Sequence, residues 1–250
     1  MAGRFKVSTI QRRLSAISQA HIAAGHPSPV QNPQVRELMN GIKRSKGTAP
    51  AKKTALLMKD IRAMVNQLPS NRLGIRDRAL LLLGFAGAFR RSELTALDVE
   101  DLEFNEDGMI VRVRRSKTDA EGRGEKVGIP YGSNPATCPV RSLWSWLEAS
   151  GLESGALFRG INRHGRIQAD RLTSQSSAKI VKRYAEAAGL KPELYGAHSL
   201  RSGFATQADL AGAKFTDIKR QGRWKNDATV RGYMPRSELF ESNAEAEPGL

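Results

Sequence analysis

One stretch of the chain contains a histidine, an arginine, a tryptophan and a tyrosine, in that order, within short motifs. It reads GAHSLR from Gly196, GRW from Gly222 and VRGY up to Tyr233. His198 and Arg201 are three residues apart, so on a helix they project from the same face. An arginine fork matches phosphate oxygens, and an imidazole exchanges a proton near neutral pH. The stretch predicts a helix on which His198 and Arg201 bind a phosphate together, with Tyr233 as the candidate nucleophile.

An apolar segment and a basic hairpin lie upstream of this stretch. Residues 80–85 are apolar and the motif 88–94 closes them, which predicts a core helix that carries Arg90 outward at its end. Residues 111–114 alternate apolar and basic side chains, as a half-exposed strand does, and a second short strand follows at 126–130. The segment between these strands holds Lys117, and a lysine on a hairpin can swing into a cleft.

Apolar residues at helical spacing predict that most of the remaining chain is helical. The fold class is therefore mainly α with a small antiparallel sheet, an α+β arrangement. One predicted helix starts near Leu57 and is ended by Pro69. A second runs from Pro139 to Ser150 with Leu143, Trp144 and Leu147 on its apolar face, and a third from Ala178 to Ala188. Three short helices are predicted at 204–211, 217–221 and 228–233.

The first 46 residues predict a helical hairpin. Ser8 to Gln11 resembles a capping box, after which Ile10, Leu14 and Ile17 form an apolar stripe that Gly25 ends. A second helix begins with Asn32 as its cap and Pro33 in its first turn, has Val35, Leu38, Met39 and Ile42 at helical spacing, and ends in a basic segment.

The charge of the chain indicates a polyanionic partner. Forty Lys and Arg residues against 25 Asp and Glu give a formal net charge of +15, which is typical of nucleic-acid-binding proteins. Residues 1–53 contain ten of these bases and a single acid, Glu37. The residues predicted to contact the DNA backbone are Arg12, Arg13, Lys43, Arg44, Lys46, Lys52, Lys53, Arg112, Arg114 and Arg115.

These motifs together resemble the tyrosine recombinase, or phage integrase, family with its Cre-like catalytic domain. The resemblance places the first family arginine on Arg90, its acidic support on Glu93 and the hairpin lysine on Lys117. The remaining catalytic positions fall on His198, Arg201, Trp224 and Tyr233. From the residues alone, Arg91 competes with Arg90, and Lys117 competes with Arg112, Arg114, Arg115, Arg123 and Lys126. The family spacing favours Arg90 and Lys117.

The resemblance implies a site-specific recombinase that cleaves and rejoins double-stranded DNA through a 3′-phosphotyrosine. It also implies a homotetramer on paired sites, accessory DNA-bending proteins, and no need for ATP, a metal or another cofactor. The sequence has no P-loop and no HExxH motif. The sequence has one cysteine, no long apolar run and no signal segment. We therefore expect a cytoplasmic, nucleoid-associated protein without membrane contact.

The same resemblance divides the chain into four parts. Residues 1–46 are predicted to be a partial helical core-binding region that clamps DNA, 47–53 a linker, 54–236 the catalytic domain, and 237–250 a tail. Two helices precede the linker, whereas the family normally has four or more, which predicts a shortened clamp. The acidic tail is expected to be either free or a helix exchanged between subunits.

Two other functions fit part of this pattern. A type IB topoisomerase uses a similar set of arginine, lysine, histidine and tyrosine to relax DNA. A non-catalytic DNA-binding remnant of a truncated integrase would keep only the basic surface, and residues 204–224 resemble a helix-turn-helix around Gly212. Recovery of a covalent protein–DNA adduct would distinguish either of the two enzymes from the non-catalytic remnant.

Overall fold

The computed structural model describes residues 3–48, 53–114 and 124–234. Its helices and short antiparallel strands confirm the predicted fold class. The chain divides into two compact units, Met1–Lys52 and Lys53–Leu250.

The N-terminal unit contains two helices, α1 (Val7–Ala23) and α2 (Pro33–Lys46), joined through a 3-10 turn at Pro29–Gln31. Val7, Ile10 and Met39 form its small buried core. The predicted cap of α2 is confirmed, because Asn32 Oδ1 accepts from the Gln34 N–H at 2.9 Å.

Two details predicted for this unit are wrong. The helix α1 begins one residue before Ser8, with Lys6 at its N-cap and no side-chain cap. Ile17 and Leu38 are exposed, although both belonged to the predicted apolar stripes. The small core buries only one edge of each helix, so periodicity alone overstated the buried face.

The larger unit is organised around a helix that is buried on every side. The unit contains α3 (Met58–Asn66), α4 (Arg72–Ala86), α5 (Arg91–Ala96), α6 (Pro139–Ser150), α7 (Ser174–Ala187), α8 (Ala197–Leu210), α9 (Phe215–Gly222) and α10 (Asp227–Arg231). Residues 79–85 of α4 are all buried, and α4 packs mainly against α6 and α8. A helix that is apolar all round has to lie inside the core.

The predicted basic hairpin belongs to a three-stranded antiparallel sheet. It consists of β1 (Leu102–Asn105), β2 (Gly108–Val113) and β3 (Glu125–Pro130), with β2 in the centre. Val111 lies opposite Val127, and both are buried, whereas Arg112 lies opposite Lys126 on the exposed face. The alternation seen in the sequence therefore separates a core face from a basic face.

A second hairpin, β4 (Arg159–Ile161) and β5 (Ile167–Arg171), was not predicted. Its strands are short and contain no buried residue, so they lack the alternation that marks a half-buried strand. The available signal was the turn: Asn162 Oδ1 accepts from two backbone N–H groups, and Gly165 has a φ of +75°.

The bounds of α6 match the prediction, but its buried face does not. Trp146 is fully buried, with its indole N–H donating to the Leu157 carbonyl at 2.8 Å, whereas Trp144 is 47% exposed. Cys138 lies at the start of α6, where its Sγ accepts from the N–H groups of Gly132 and Arg141. Within the described ranges, no helix is long and apolar enough to cross a membrane.

Candidate active site

Arg90 lies at the start of α5 and not at the end of the core helix as predicted. The core helix stops at Ala86, and Ala88 then adopts a left-handed backbone with a φ of +46°. Gly87 is needed at this turn, since a Cβ there would lie 2.1 Å from the Phe89 ring. The turn redirects the chain, and Arg90 becomes the N-cap of the next helix.

Glu93, for which the resemblance implied a supporting role, makes two hydrogen bonds with Arg90. Its Oε1 accepts from Arg90 Nη1 at 2.5 Å, and its Oε2 accepts from the Arg90 backbone N–H at 2.9 Å. Burial raises the pKa of Glu93, but Arg223 and the hydrogen bonds from Arg90 outweigh burial and lower it overall. The carboxylate therefore stays charged and fixes the direction of the Arg90 fork.

His198 and Arg201 both lie in the first turns of α8, which begins at Ala197 and not near Phe204 as predicted. Arg201 is 2% exposed. Its Nη1 donates to the Ala88 carbonyl at 2.5 Å, and its guanidinium lies 4.2 Å from the centroid of the Trp224 ring. Arg201 Nη2 is buried, and no described residue accepts a hydrogen bond from it.

Tyr233 follows α10, which ends two residues earlier than predicted. Thr206 Oγ1 donates to the Tyr233 carbonyl at 2.8 Å, and the Tyr233 ring lies 6.0 Å from the Trp224 ring. The phenol oxygen is 2.8 Å from His198 Nε2. The structure therefore brings the candidate nucleophile into hydrogen-bond contact with the candidate base.

The pKa shifts determine the protonation states of the two groups at neutral pH. Burial raises the pKa of Tyr233, although Arg201 opposes the shift. Burial lowers the pKa of His198, and the charges of Arg201 and Arg90 lower it further. At neutral pH the phenol is protonated and the imidazole is neutral, so the phenol donates to Nε2 in the tautomer that carries its proton on Nδ1. Burial also lowers the pKa of Arg201 to about 9, so Arg201 remains a cation at neutral pH.

These shifts predict the acid limb of a pH profile. His198 has a pKa below its usual value of 6.5, so its imidazole becomes charged only below that pH and then can no longer accept the phenol proton. We expect the single-turnover rate of adduct formation to be flat near pH 7 and to fall below pH 6.5. A His198→Gln variant should be slow and lack this limb, and an unchanged limb in that variant would assign it to another group.

The five described catalytic candidates surround one cleft of about 610 Å³. Arg90, His198, Arg201, Trp224 and Tyr233 line it together with Lys53, Arg91, Lys182, Tyr195 and Thr229. Lys53 was expected in the linker, and its Nζ donates to the Glu193 carbonyl at the edge of the cleft. Lys182 and Tyr195 were not singled out from the sequence, since they belong to a helix and a loop without a motif of their own.

The hairpin residues are only partly described. Lys117, Arg115 and the N-terminal Lys52 lie outside the described residues. Arg114 follows β2 and pairs with Asp98 at 2.7 Å and with Asp101 at 2.6 Å, so it has internal partners where a DNA contact was predicted. Arg112 is exposed opposite Lys126. Like charges opposite each other on a sheet repel, and an anion between them relieves that repulsion.

Comparison with known proteins gives the same family as the motifs. The Phage integrase family model matches residues 54–238, which is more than half of the chain. The chain belongs to the phage integrase family. The resemblance inferred from the motifs is thereby confirmed, and with it the enzyme class: tyrosine recombinases, which break and rejoin DNA.

Two relatives and two solved structures show how far the likeness extends. The chain is 40% identical to an integrase/recombinase XerD homologue of Selenomonas ruminantium, over 98% of this chain and 73% of the relative. It is 30% identical to the tyrosine recombinase XerC of Syntrophus aciditrophicus, over 66% of this chain and 50% of the relative. The chain thus spans about half the length of that XerC.

The structural likeness covers nearly the whole chain. The Tn1549 transposon integrase in complex with transposon right end DNA superposes with a TM-score of 0.64 at 15% identity, over 96% of this chain and 81% of that one. A XerA recombinase superposes with a TM-score of 0.59 at 16% identity, over 99% and 79%. At these identities the comparison shows a shared fold.

Proposed function

We propose that this phage integrase family chain is a site-specific DNA recombinase that cleaves and rejoins double-stranded DNA through a 3′-phosphotyrosine. The observation that carries the proposal is the 2.8 Å contact between His198 Nε2 and the Tyr233 hydroxyl, in a cleft that Arg90 and Arg201 also line. A phenol with a raised pKa attacks only if its proton has an acceptor, and the imidazole is in place to accept it.

The transition state of this attack concentrates negative charge on the non-bridging oxygens of the scissile phosphate. Arg90, fixed by Glu93, and Arg201, with its unused Nη2 donor, stabilise that charge. We assign Trp224 to packing, because its ring lies against both Arg201 and Tyr233. Lys117 is the proposed general acid that protonates the leaving 5′-oxygen.

The reaction exchanges one phosphodiester for another. Tyr233 becomes esterified to a 3′-phosphate, and a 5′-hydroxyl leaves. A second 5′-hydroxyl then attacks the phosphotyrosine and restores both the DNA and the free tyrosine. We propose no cofactor, because the ester that forms is close in energy to the ester that breaks.

We propose that residues 1–46 clamp the duplex, that 47–53 form the linker and that 54–236 form the catalytic domain. The support is the concentration of bases on the N-terminal unit: Arg12, Arg13, Arg44 and Lys46 are exposed, and Lys43 is half-buried. We further propose action as a homotetramer on paired sites, a role for residues 237–250 in subunit exchange, and assistance from DNA-bending proteins at the nucleoid.

The basic end of α2 predicts a specific salt dependence. Replacing Lys43, Arg44 and Lys46 by Ala removes up to three phosphate contacts, and the slope of log K against log salt should fall by about 0.9 for each phosphate no longer neutralised on B-DNA. Fluorescence anisotropy across a salt series measures this slope. Arg72→Ala is the control, since Arg72 lies at the start of α4, outside the proposed clamp. An unchanged slope in the triple variant would remove α2 from the clamp.

The proposed function is tested by covalent selection, which works on a DNA site of any sequence. The chain is incubated with a library of nicked duplexes that carry randomised arms, so that cleavage releases a short strand and traps the adduct. Adducts that survive denaturation are recovered and sequenced. We expect an enriched sequence attached to the protein through its 3′ end. DNA binding without any adduct would support the non-catalytic remnant instead.

A further inference from the structure

Another arginine lies behind Arg90 and Arg201, the two arginines proposed to contact the scissile phosphate. Arg223, the middle residue of the GRW motif, has a side chain that is only 4% exposed. It ends α9 in a left-handed conformation with a φ of +55°. Within the described ranges, only Ala88 and Arg223 are non-glycine residues with positive φ. A long side chain rarely adopts this backbone unless the surroundings hold it there.

The guanidinium of Arg223 contacts four acceptors at once. Its Nη2 donates to Glu93 Oε2 at 2.9 Å and, more weakly, to the Ala88 carbonyl at 3.4 Å. Its Nη1 donates to the carbonyls of Gly87 at 3.1 Å and Gln221 at 3.0 Å. The group also lies 5.0 Å from the Phe89 ring centroid. Arg223 therefore ties the end of α9 to the left-handed turn at Ala88.

Two of these acceptors are shared with the arginines of the cleft. Glu93 Oε2 also accepts the Arg90 backbone N–H, while Glu93 Oε1 accepts Arg90 Nη1. The Ala88 carbonyl also accepts Arg201 Nη1 at 2.5 Å. Arg90 Nη2 in turn approaches the Arg223 carbonyl at 3.4 Å. Both cleft arginines are thus oriented by groups that Arg223 holds.

We propose that Arg223 is a positioning residue that sets the direction of Arg90 and Arg201 toward the scissile phosphate. The proposal rests on the proposed function and goes beyond it, because Arg223 itself does not line the cleft. The buried Glu93 carboxylate is balanced from one side by Arg90 and from the other by Arg223. Without Arg223, Arg90 would be the one cation left in contact with Glu93 among the described residues. The turn at Gly87 and Ala88 would also lose its hydrogen bonds from Arg223.

A purely structural role for Arg223 makes a different prediction. Trp224 follows Arg223 directly and packs near both Tyr233 and Arg201, so under that role loss of Arg223 would act through Trp224 and displace the nucleophile, while Arg90 would keep its place. The two roles differ in how they depend on the charge of the scissile phosphate. A methylphosphonate at that position has one non-bridging oxygen and no charge. Misplaced arginines should therefore slow its cleavage less than they slow cleavage of the phosphodiester. A misplaced nucleophile should slow the cleavage of both substrates equally.

The experiment compares Arg223→Gly and Arg223→Asn, both of which accept the left-handed backbone, with the full chain on the selected nicked duplex. On the phosphodiester, we expect both variants to form the adduct at least tenfold more slowly than the unsubstituted chain. On the methylphosphonate, the same comparison should give a loss of less than threefold. Arg223→Lys, which keeps the charge, should recover part of the rate. Arg220→Ala is the control, because Arg220 is exposed and pairs only with Asp217 in the described contacts. Equal losses on both substrates would overturn the proposal.

A second measurement does not depend on catalysis. In the full chain labelled at arginine nitrogen, the Nε–Hε resonances of Arg90 and Arg201 should shift or broaden in Arg223→Gly and stay in place in Arg220→Ala. Unchanged resonances in Arg223→Gly would refute the positioning role even if the chain formed no adduct. If the resonances respond and the parent chain forms no adduct, the proposed function fails and the positioning role stands.

Discussion

A Tyr233→Phe variant is expected to bind DNA like the parent chain and to form no covalent adduct. The change removes only the phenol oxygen, which is the proposed nucleophile and the partner of His198 Nε2. The ring keeps its place near Trp224, and Thr206 still donates to the backbone carbonyl. The fold should therefore survive while the reaction is lost. Denaturing gels of the trapped nicked duplex measure the adduct, and anisotropy measures binding.

Tyr195→Phe is the matched control for this variant. Tyr195 lines the same cleft and loses the same atom, so this variant should still form the adduct. An adduct of undiminished yield in Tyr233→Phe would exclude Tyr233 as the nucleophile. Loss in Tyr195→Phe with retention in Tyr233→Phe would transfer the role to Tyr195.

The second large effect concerns the arginines of the cleft. Arg90→Ala and Arg201→Ala should each slow adduct formation by about 10²-fold or more, because each removes a preorganised donor to the developing charge. Arg91→Ala should be much milder, since Arg91 occupies the first turn of α5 without contacting Glu93 in the described hydrogen bonds. Single-turnover rates at saturating DNA measure these losses as a property of the chemical step.

Arg201 is almost fully buried, so its removal also threatens folding. Arg90→Lys and Arg201→Lys keep a cation with a smaller change in volume, and thermal unfolding identifies variants that remain folded. A folded Arg201→Lys that still loses activity assigns the effect to the guanidinium fork. If Arg91→Ala proved more damaging than Arg90→Ala, the assignment of the first arginine would be wrong by one position.

Part of this site was predictable because its chemistry lies in short local motifs. The three-residue spacing of His198 and Arg201 fixes a common helix face wherever that helix begins, so the pair was found although the predicted start of α8 was wrong. The alternation of β2 and β3 similarly predicted a basic exposed face. Local periodicity carries this information independently of the tertiary contacts.

Other features depend on contacts that are distant in sequence. Arg223 and Glu93 are 130 residues apart, and no local pattern distinguishes an arginine that is buried by such a partner from an exposed one. Trp144 and Trp146 differ in burial because Trp146 reaches the Leu157 carbonyl, whereas Trp144 stacks on Phe104 at the surface with ring centroids 4.9 Å apart. The glycine at position 87 is required because a Cβ there would meet the Phe89 ring, a contact that helical periodicity does not show.

The most direct test of the central claim is to map the covalent bond itself. The adduct trapped on the nicked duplex is digested with protease and nuclease, and the joined fragment is sequenced by mass spectrometry while the released strand is tested for phosphorylation by a kinase. We predict a 3′-phosphate esterified to the oxygen of Tyr233 and a released strand with a free 5′-hydroxyl. A link to any other residue, a 5′-phosphate on the released strand, or hydrolysed DNA without a protein bond would contradict the account.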